Sequence, residues 1–246
     1  MSFKNKIAVV TGGATGLGFG IASHLASQGA TVVITGRRQQ QLDQAVASIG
    51  ASASAIKADI SNLAELDALY REIKTTHGRI DVLVANAGVG YLAPLGAITE
   101  AHYDQIFNTN VKGVTFTVQG ALPLMPSGAS IVIIGSTASI DPGPGLSVYG
   151  ASKAALRNLV RSWIQEIKPS GVRINLVSPG PVDTPSLRGM FPDSVDETLA
   201  FLRGRSMVGR IGEPQDIARA VAFVASEQSG YINGVELFLD GGASQI

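Results

Sequence analysis

The sequence contains no cysteine, a single tryptophan and few charges, with Asp, Glu, Lys and Arg together making 15% of its 246 residues. Without cysteine there are no disulfides, no thiolate nucleophile and no cysteine-ligated zinc. His24, His77 and His102 are too scattered to form a local metal motif, so no metal site is expected. The 19 basic residues balance the 19 acidic ones and no run of like charges occurs. That excludes the electrostatic footprint of a nucleic-acid binder or of a protein held on an anionic membrane. No stretch reaches the ~18 apolar residues of a membrane span, and the apolar run before the first glycine is too short for a signal-peptide core. A cytoplasmic location is the expectation.

Glycine and hydrophobic residues are abundant, at 29 residues and 45% of the chain respectively. Against averages of about 7% glycine and about 25% charge, this is a chain that buries much of itself and turns often. Short β-branched runs at 7–11, 31–35, 53–57, 81–85, 130–135, 172–177 and 235–239 read as strands. Segments of helical period lie between them, at 17–28, 39–49, 63–77, 100–122, 149–167 and 215–225. Strands that are continuously apolar and alternate with long helices imply βαβ units and a parallel sheet covered on both faces. The expected fold is α/β, a doubly wound seven-stranded parallel sheet in a single domain spanning 1–246. The exception is an irregular stretch at 178–213, in which Leu187, Met190, Phe191, Leu199, Phe201 and Leu202 supply an apolar face. A substrate lid at about 186–213 is one reading of it, a satellite hydrophobic cluster the other.

Between the first strand and the first helix lies Thr11-Gly12-Gly13-Ala14-Thr15-Gly16-Leu17-Gly18. A glycine turn in that place lets backbone amides approach a pyrophosphate while the helix N-terminus supplies partial positive charge; a tight turn without a ligand is the alternative. At the end of the second strand, Gly36 offers no carboxylate, and Arg37 and Arg38 follow it. Planar guanidinium donors there suit a 2′-phosphate, which points to NADP rather than NAD. Tyr149 and Lys153 open a long helix four residues apart and so share a face. A fixed ammonium favours the phenolate, which lets a tyrosine exchange a proton near neutral pH. Ser136 ends the preceding strand, at the edge where α/β sheets bind ligands.

With these motifs in this order along the chain, the sequence closely resembles the short-chain dehydrogenase/reductase family. The resemblance runs nearly the whole length: the glycine turn, Asp59-Ile60, Asn86-Ala87-Gly88, Asn110, Ser136, the Tyr-x-x-x-Lys pair, Pro179-Gly180-Pro181-Val182-Asp183-Thr184, and Asp240-Gly241-Gly242. It implies a Rossmann-type fold and hydride transfer with NADP(H). It also implies roles: Tyr149 as general acid for ketone reduction and base for alcohol oxidation, with Ser136 holding the substrate oxygen. Lys153 would bond the nicotinamide ribose and lower the Tyr149 pKa, and Asn110 would support a relay water. Gly12, Thr15, Gly16, Leu17 and Gly18 would take the pyrophosphate side, Arg37 and Arg38 the 2′-phosphate, and Asp59 and Ile60 the adenine. Asn86, Ala87 and Gly88 would flank the cofactor, Pro179 and Gly180 would contact it, and Val182 and Thr184 would fix the carboxamide. Two departures are visible. Ala85 precedes Asn86 where many relatives have two asparagines, and Thr15 stands where many NADP-dependent relatives carry a basic residue. The family further implies a homotetramer built on the long fourth and fifth helices and the C-terminal strand region.

The expected pocket walls, at 89–95, 140–146 and 186–207, offer Tyr91, Leu92, Ile140, Leu146, Leu187, Met190 and Phe191, and no obvious Arg/Lys cluster. A neutral, fairly apolar ketone or secondary alcohol is therefore the expected small-molecule substrate. One alternative is a 3-ketoacyl-thioester reductase, against which stands the lack of Lys or Arg at 113–134, while Arg157 and Arg161 leave it open. The other is a non-catalytic dinucleotide-binding sensor or scaffold, against which stands the joint presence of Asn110, Ser136, Tyr149 and Lys153.

Overall fold

The computed structural model describes residues 2–245. Its strands are β1 (Ile7–Thr11), β2 (Thr31–Gly36), β3 (Ala53–Lys57), β4 (Val82–Ala85), β5 (Ser130–Ile134), β6 (Arg173–Pro179) and β7 (Glu236–Leu239). They form one sheet in the order β3-β2-β1-β4-β5-β6-β7, every pairing parallel. This is the Rossmann-type α/β fold expected from the alternation of elements.

Neighbouring side chains on a strand point to opposite faces, and both faces here are apolar because both are covered. Val9 of β1 joins a core with Leu66 and Leu69 of α3 (Leu63–His77), Val118 of α5 (Val114–Ala121) and Leu156 of α6 (Ser147–Glu166). Its neighbours Ala8 and Val10 face a second core with Ile21 and Leu25 of α1 (Gly16–Ser27), Leu42 of α2 (Gln39–Ile49) and Val221 of α9 (Pro214–Ala225). The strand order reverses between β1 and β4, and the helices leaving these strands part to opposite faces. The crevice this opens at the carboxyl ends is where such sheets bind ligands.

Most element ends lie within two residues of the expected ones, and three differences matter for the site. The expected helix at 100–122 is α4 (Glu100–Phe107), a π turn (Asn108–Gly113) and α5 in one continuous path. Gly113 explains the irregularity: a Cβ there would come within 2.9 Å of the Ile60 side chain, so backbone and Ile60 are in direct contact. The extra residue of the π turn re-aims Asn110 into the interior, and apolar periodicity on either side conceals it. The irregular stretch at 178–213 contains the end of β6 and two helices, α7 (Pro185–Met190) and α8 (Val195–Arg205). Thr184 caps α7, accepting from Leu187 N at 3.2 Å ahead of Pro185 at the first position. Asp196 and Glu197 begin α8 and Arg203 and Arg205 end it, matching the helix dipole. These are terminal signals, and α8 lacks the apolar stripe that would have announced it, because only Leu199 of it is buried. Lastly, Asp81 precedes β4, and its carboxylate accepts from Ile7 N at 2.8 Å and from Arg79 Nε at 3.0 Å.

Candidate active site

The glycine turn is built by hydrogen bonds to the next strand over. Thr11 Oγ1 accepts from Asn86 N and Ala87 N, each at 3.1 Å. The Asn86 amide returns the contact, donating to Thr11 O at 2.9 Å and Gly12 O at 3.2 Å. Gly16 sits at φ +56°, a left-handed conformation that side chains resist, and a Cβ on Gly18 would lie 2.1 Å from Gly12 O. Thr15 holds the cap position of α1, yet its hydroxyl makes no capping bond and no acidic residue stands in the first turn. The first amide donors of α1 are thus left to face outward, as a site for an anion requires.

The start of α2 repeats this arrangement. Arg38 occupies the cap position with no side-chain cap and no acid in the first turn. Among the described residues neither Arg37 nor Arg38 forms an ion pair. Cations at a helix N-terminus are disfavoured by the dipole, so two unpaired guanidinium groups there fit an anionic ligand. Across the crevice, Asp59 accepts from Ser61 N at 2.9 Å and from Ser61 Oγ at 2.7 Å, which holds the loop that presents Ile60.

At the other end of the crevice, β5 delivers Ser136 in extended backbone, and its hydroxyl accepts from Ala138 N at 3.1 Å to start a short turn. Tyr149 and Lys153 lie one turn apart on α6, with Lys153 Nζ 5.8 Å from the centre of the Tyr149 ring. Lys153 Nζ donates to Ile134 O at 2.9 Å. Burial lowers the Lys153 ammonium to about 8. Burial also raises the Tyr149 phenol, with the Ser136 side chain pulling it back down. On the protein's own groups burial dominates, so Tyr149 carries its proton at neutral pH.

Asn110 is fully buried, and its side chain acts as a clasp. It accepts from Val89 N at 2.8 Å and donates to Val89 O at 2.8 Å and to Ser152 Oγ at 3.0 Å. Ser152 in turn donates to Tyr149 O at 2.7 Å, which ties the π turn, the loop after β4 and α6 together. Both amide hydrogens of Asn110 are occupied, while Oδ1 keeps a lone pair toward Gly88. A Cβ on Gly88 would lie 3.2 Å from that oxygen and 3.5 Å from Lys153 Nζ.

Every catalytic and cofactor residue expected from the sequence apart from Asn110 lines one continuous cavity of about 860 Å³, as do Leu92, Leu146, Leu187, Met190 and Phe191 of the expected pocket walls, while Tyr91 and Ile140 do not. The cavity lies in the upper part of the range typical of ligand sites, and its two ends differ. The glycine turn and arginines form one, and Leu92, Leu146, Met190, Phe191 and Leu202 form the apolar other. The sequence reading passed over Asp141, Glu197 and Arg205, which also line the second end. No local pattern marks them, since Asp141 and Arg205 meet across 64 residues of chain. Among the described residues no group of three or more metal-ligating side chains occurs, and no helix is long and apolar enough to cross a membrane.

A family model described as enoyl-(acyl carrier protein) reductase matches residues 12–244. The protein described as oxidoreductase asL5 from Sarocladium schorii is 42% identical over 243 residues, covering 98% of this chain and 96% of the relative. The chain belongs to the short-chain dehydrogenase/reductase family. Solved structures of this oxidoreductase family superpose on it closely. A short-chain dehydrogenase from Burkholderia cenocepacia in complex with NADP, 34% identical, has a TM-score of 0.90 with 99% of both chains covered. The 3-ketoacyl-(acyl-carrier-protein) reductase from Brucella melitensis complexed with NADH, 30% identical, has the same TM-score with 99% of this chain and 100% of the other covered.

Proposed function

We propose that this short-chain dehydrogenase/reductase is an NADP(H)-dependent oxidoreductase of a neutral, fairly apolar ketone or secondary alcohol, with Tyr149 as its general acid and base. The observation that carries the reading is one cavity with the Tyr149 phenol at one end and two uncapped helix N-termini at the other, that of α2 flanked by Arg37 and Arg38. The donor set fits a dinucleotide phosphate: amides of α1 for the pyrophosphate, and Arg37, Arg38 and the side-chain-free Gly36 for the 2′-phosphate. Pro179, Gly180, Val182 and Thr184 close the opposite wall, where the resemblance assigns contacts to the carboxamide. A bound nicotinamide dinucleotide supplies or accepts the hydride.

The protein's own groups handle the proton. In reduction, the protonated Tyr149 hydroxyl donates to the carbonyl oxygen that Ser136 orients, which neutralises charge as it develops. Lys153, with a lowered pKa and its Nζ 5.8 Å from the Tyr149 ring centre, is the group that restores the proton. The gap beside Gly88, between Asn110 Oδ1 and Lys153 Nζ, supports a relay water with two polar partners in reach. Helices α7 and α8 stand over the apolar end as the lid, with Phe201 66% exposed at its rim. Exposed Val235 and Tyr231 beside β7 support the homotetramer expected at the C-terminal strand region.

For the ketoacyl-thioester alternative, a basic docking surface is wanting. Arg157, one of the two arginines that left it open, pairs with Glu236 at 3.4 Å and donates to Ser139 O at 3.3 Å. The sensor alternative gives no reason for a phenol, a lowered lysine and a serine hydroxyl to meet in one cavity. A spectrophotometric panel of ketones and alcohols with NADPH and NADH in parallel tests the proposal. Turnover of neutral ketones with NADPH preferred is expected. Turnover of charged keto acids or acetoacetyl thioesters alone overturns the substrate reading.

A further inference from the structure

The substrate end of the cavity is apolar within and charged at its rim. Among the described residues lining the cavity, the basic side chains are Arg37, Arg38, Lys153 and Arg205. The first three belong to the dinucleotide and proton-transfer parts of the site, leaving Arg205 as the one basic group at the substrate end. It stands in the last turn of α8, and Asp141 follows the short turn that begins at Ser136. Arg205 Nη2 donates to Asp141 Oδ2 at 2.7 Å and reaches Ala243 O at 3.5 Å. Both partners remain open to solvent, at 43% and 41% side-chain exposure, so a substrate group reaching the rim meets them directly. The third charged side chain at this end is Glu197, which makes the end net negative as it stands.

We infer that Asp141 sets the charge specificity of this enzyme, occupying the Arg205 guanidinium so that the substrate end rejects anionic ketones. The inference rests on the oxidoreductase reading above and deepens it. An arginine presented alone at the mouth of an apolar pocket is a carboxylate receptor, through charge-assisted and bidentate hydrogen bonds. The same arginine held by a carboxylate offers no such partner, and an incoming anion meets Asp141 and Glu197 as like charges. Specificity of this kind comes from the repulsive element as much as from the attractive one. Because the pair is half exposed, its strength is that of a screened surface interaction, and an effect of about three- to fivefold follows.

The test uses ω−1 keto acids from 4-oxopentanoate to 8-oxononanoate, each beside its methyl ester, on the full chain with NADPH. The wild type is expected to favour the ester. In Asp141→Asn the acid-to-ester ratio of kcat/KM rises about three- to fivefold for at least one chain length. Adding Arg205→Gln to that variant returns the ratio to the wild-type value, and 0.5 M salt compresses the whole difference. Calorimetric affinities for 8-oxononanoate and its ester in the same three proteins follow the same order even where no ketone turns over. Failure of the reductase reading therefore leaves a separate signature. Ratios of both kcat/KM and affinity that stay within twofold across wild type, Asp141→Asn and the double variant overturn the inference.

Discussion

The two ends of the cavity are built by different means, and in the proposed function each suits its ligand accordingly. The cofactor end is made largely of backbone: amides at the starts of α1 and α2, a left-handed Gly16, and a Gly18 pressed against Gly12 O. The substrate end is made of side chains from elements far apart in sequence, with Asp141 and Arg205 half exposed at its rim. Where backbone does the binding, residue type is constrained by geometry and a motif results. Where side chains do it, many residues serve and no motif forms. The proposed chemistry sits between the two, on a buried Tyr149 and Lys153 whose protonation is shifted by burial.

The largest effect expected is at that junction. Tyr149→Phe keeps the shape and removes the proton, so kcat with NADPH should fall by about 10²- to 10⁴-fold with little change in cofactor affinity. Unchanged turnover would show the proton coming from elsewhere. On the backbone side, Gly18→Ala places a methyl group 2.1 Å from Gly12 O and 2.5 Å from Asn86 Nδ2. Overpacking of this kind costs about 1–3 kcal/mol, and a lower urea midpoint together with lost NADPH binding checks it. Replacing Arg37 and Arg38 together by serine should raise the KM for NADPH about tenfold and leave that for NADH near its starting value. An equal loss with both cofactors would mean the arginines do not read the phosphate.

A smaller effect runs in the opposite direction. Burial lowers Lys153 to about 8 in the folded protein, against 10.5 for an ordinary lysine side chain, because it penalises the ammonium. Between those values the unfolded chain binds more protons, so stability rises with pH through that window and the penalty is complete below about 8. Lys153→Met, measured without cofactor at pH 7, should therefore melt a few degrees above the wild type. The net gain is about 2 kcal/mol, after allowance for the hydrogen bond lost by Ile134 O. The gap should close at about pH 9.5, where the shrinking charge penalty equals the hydrogen bond that the neutral amine still donates to Ile134 O, and reverse above it, while activity is lost at every pH. A variant that melts lower at pH 7 would show the ammonium to be stabilising. At the exposed rim, Phe201→Ala should change stability by less than about 0.5 kcal/mol, and only the KM of bulky ketones should move.

The same division governs what could be read in advance. The seven strands were legible because continuous apolar runs mean strands covered on both faces, as Val9, Ala8 and Val10 of β1 show. The glycine turn, Ser136, Tyr149 and Lys153 were legible because each stands at the end of a strand or the start of a helix. The π turn was not, since Asn108–Gly113 follows from the contact between Gly113 and Ile60, residues distant in sequence. Helix α8 was also missed, because an exposed helix with one buried residue has terminal charges and no apolar period. Asn110 was named for a relay, while its side chain is largely taken up in clasping Val89 and Ser152.

By itself the sequence determined the parallel sheet, the crevice at its switch point, and the residue types that meet there. These follow from local constraints: periodicity, turn geometry, and where glycine is required. Tertiary structure alone decided how far burial shifts Tyr149 and Lys153, which hydrogen bonds occupy Asn110, and that Arg205 is held by Asp141. Desolvation and ion pairing depend on atoms brought together from distant parts of the chain, and no local pattern encodes that distance.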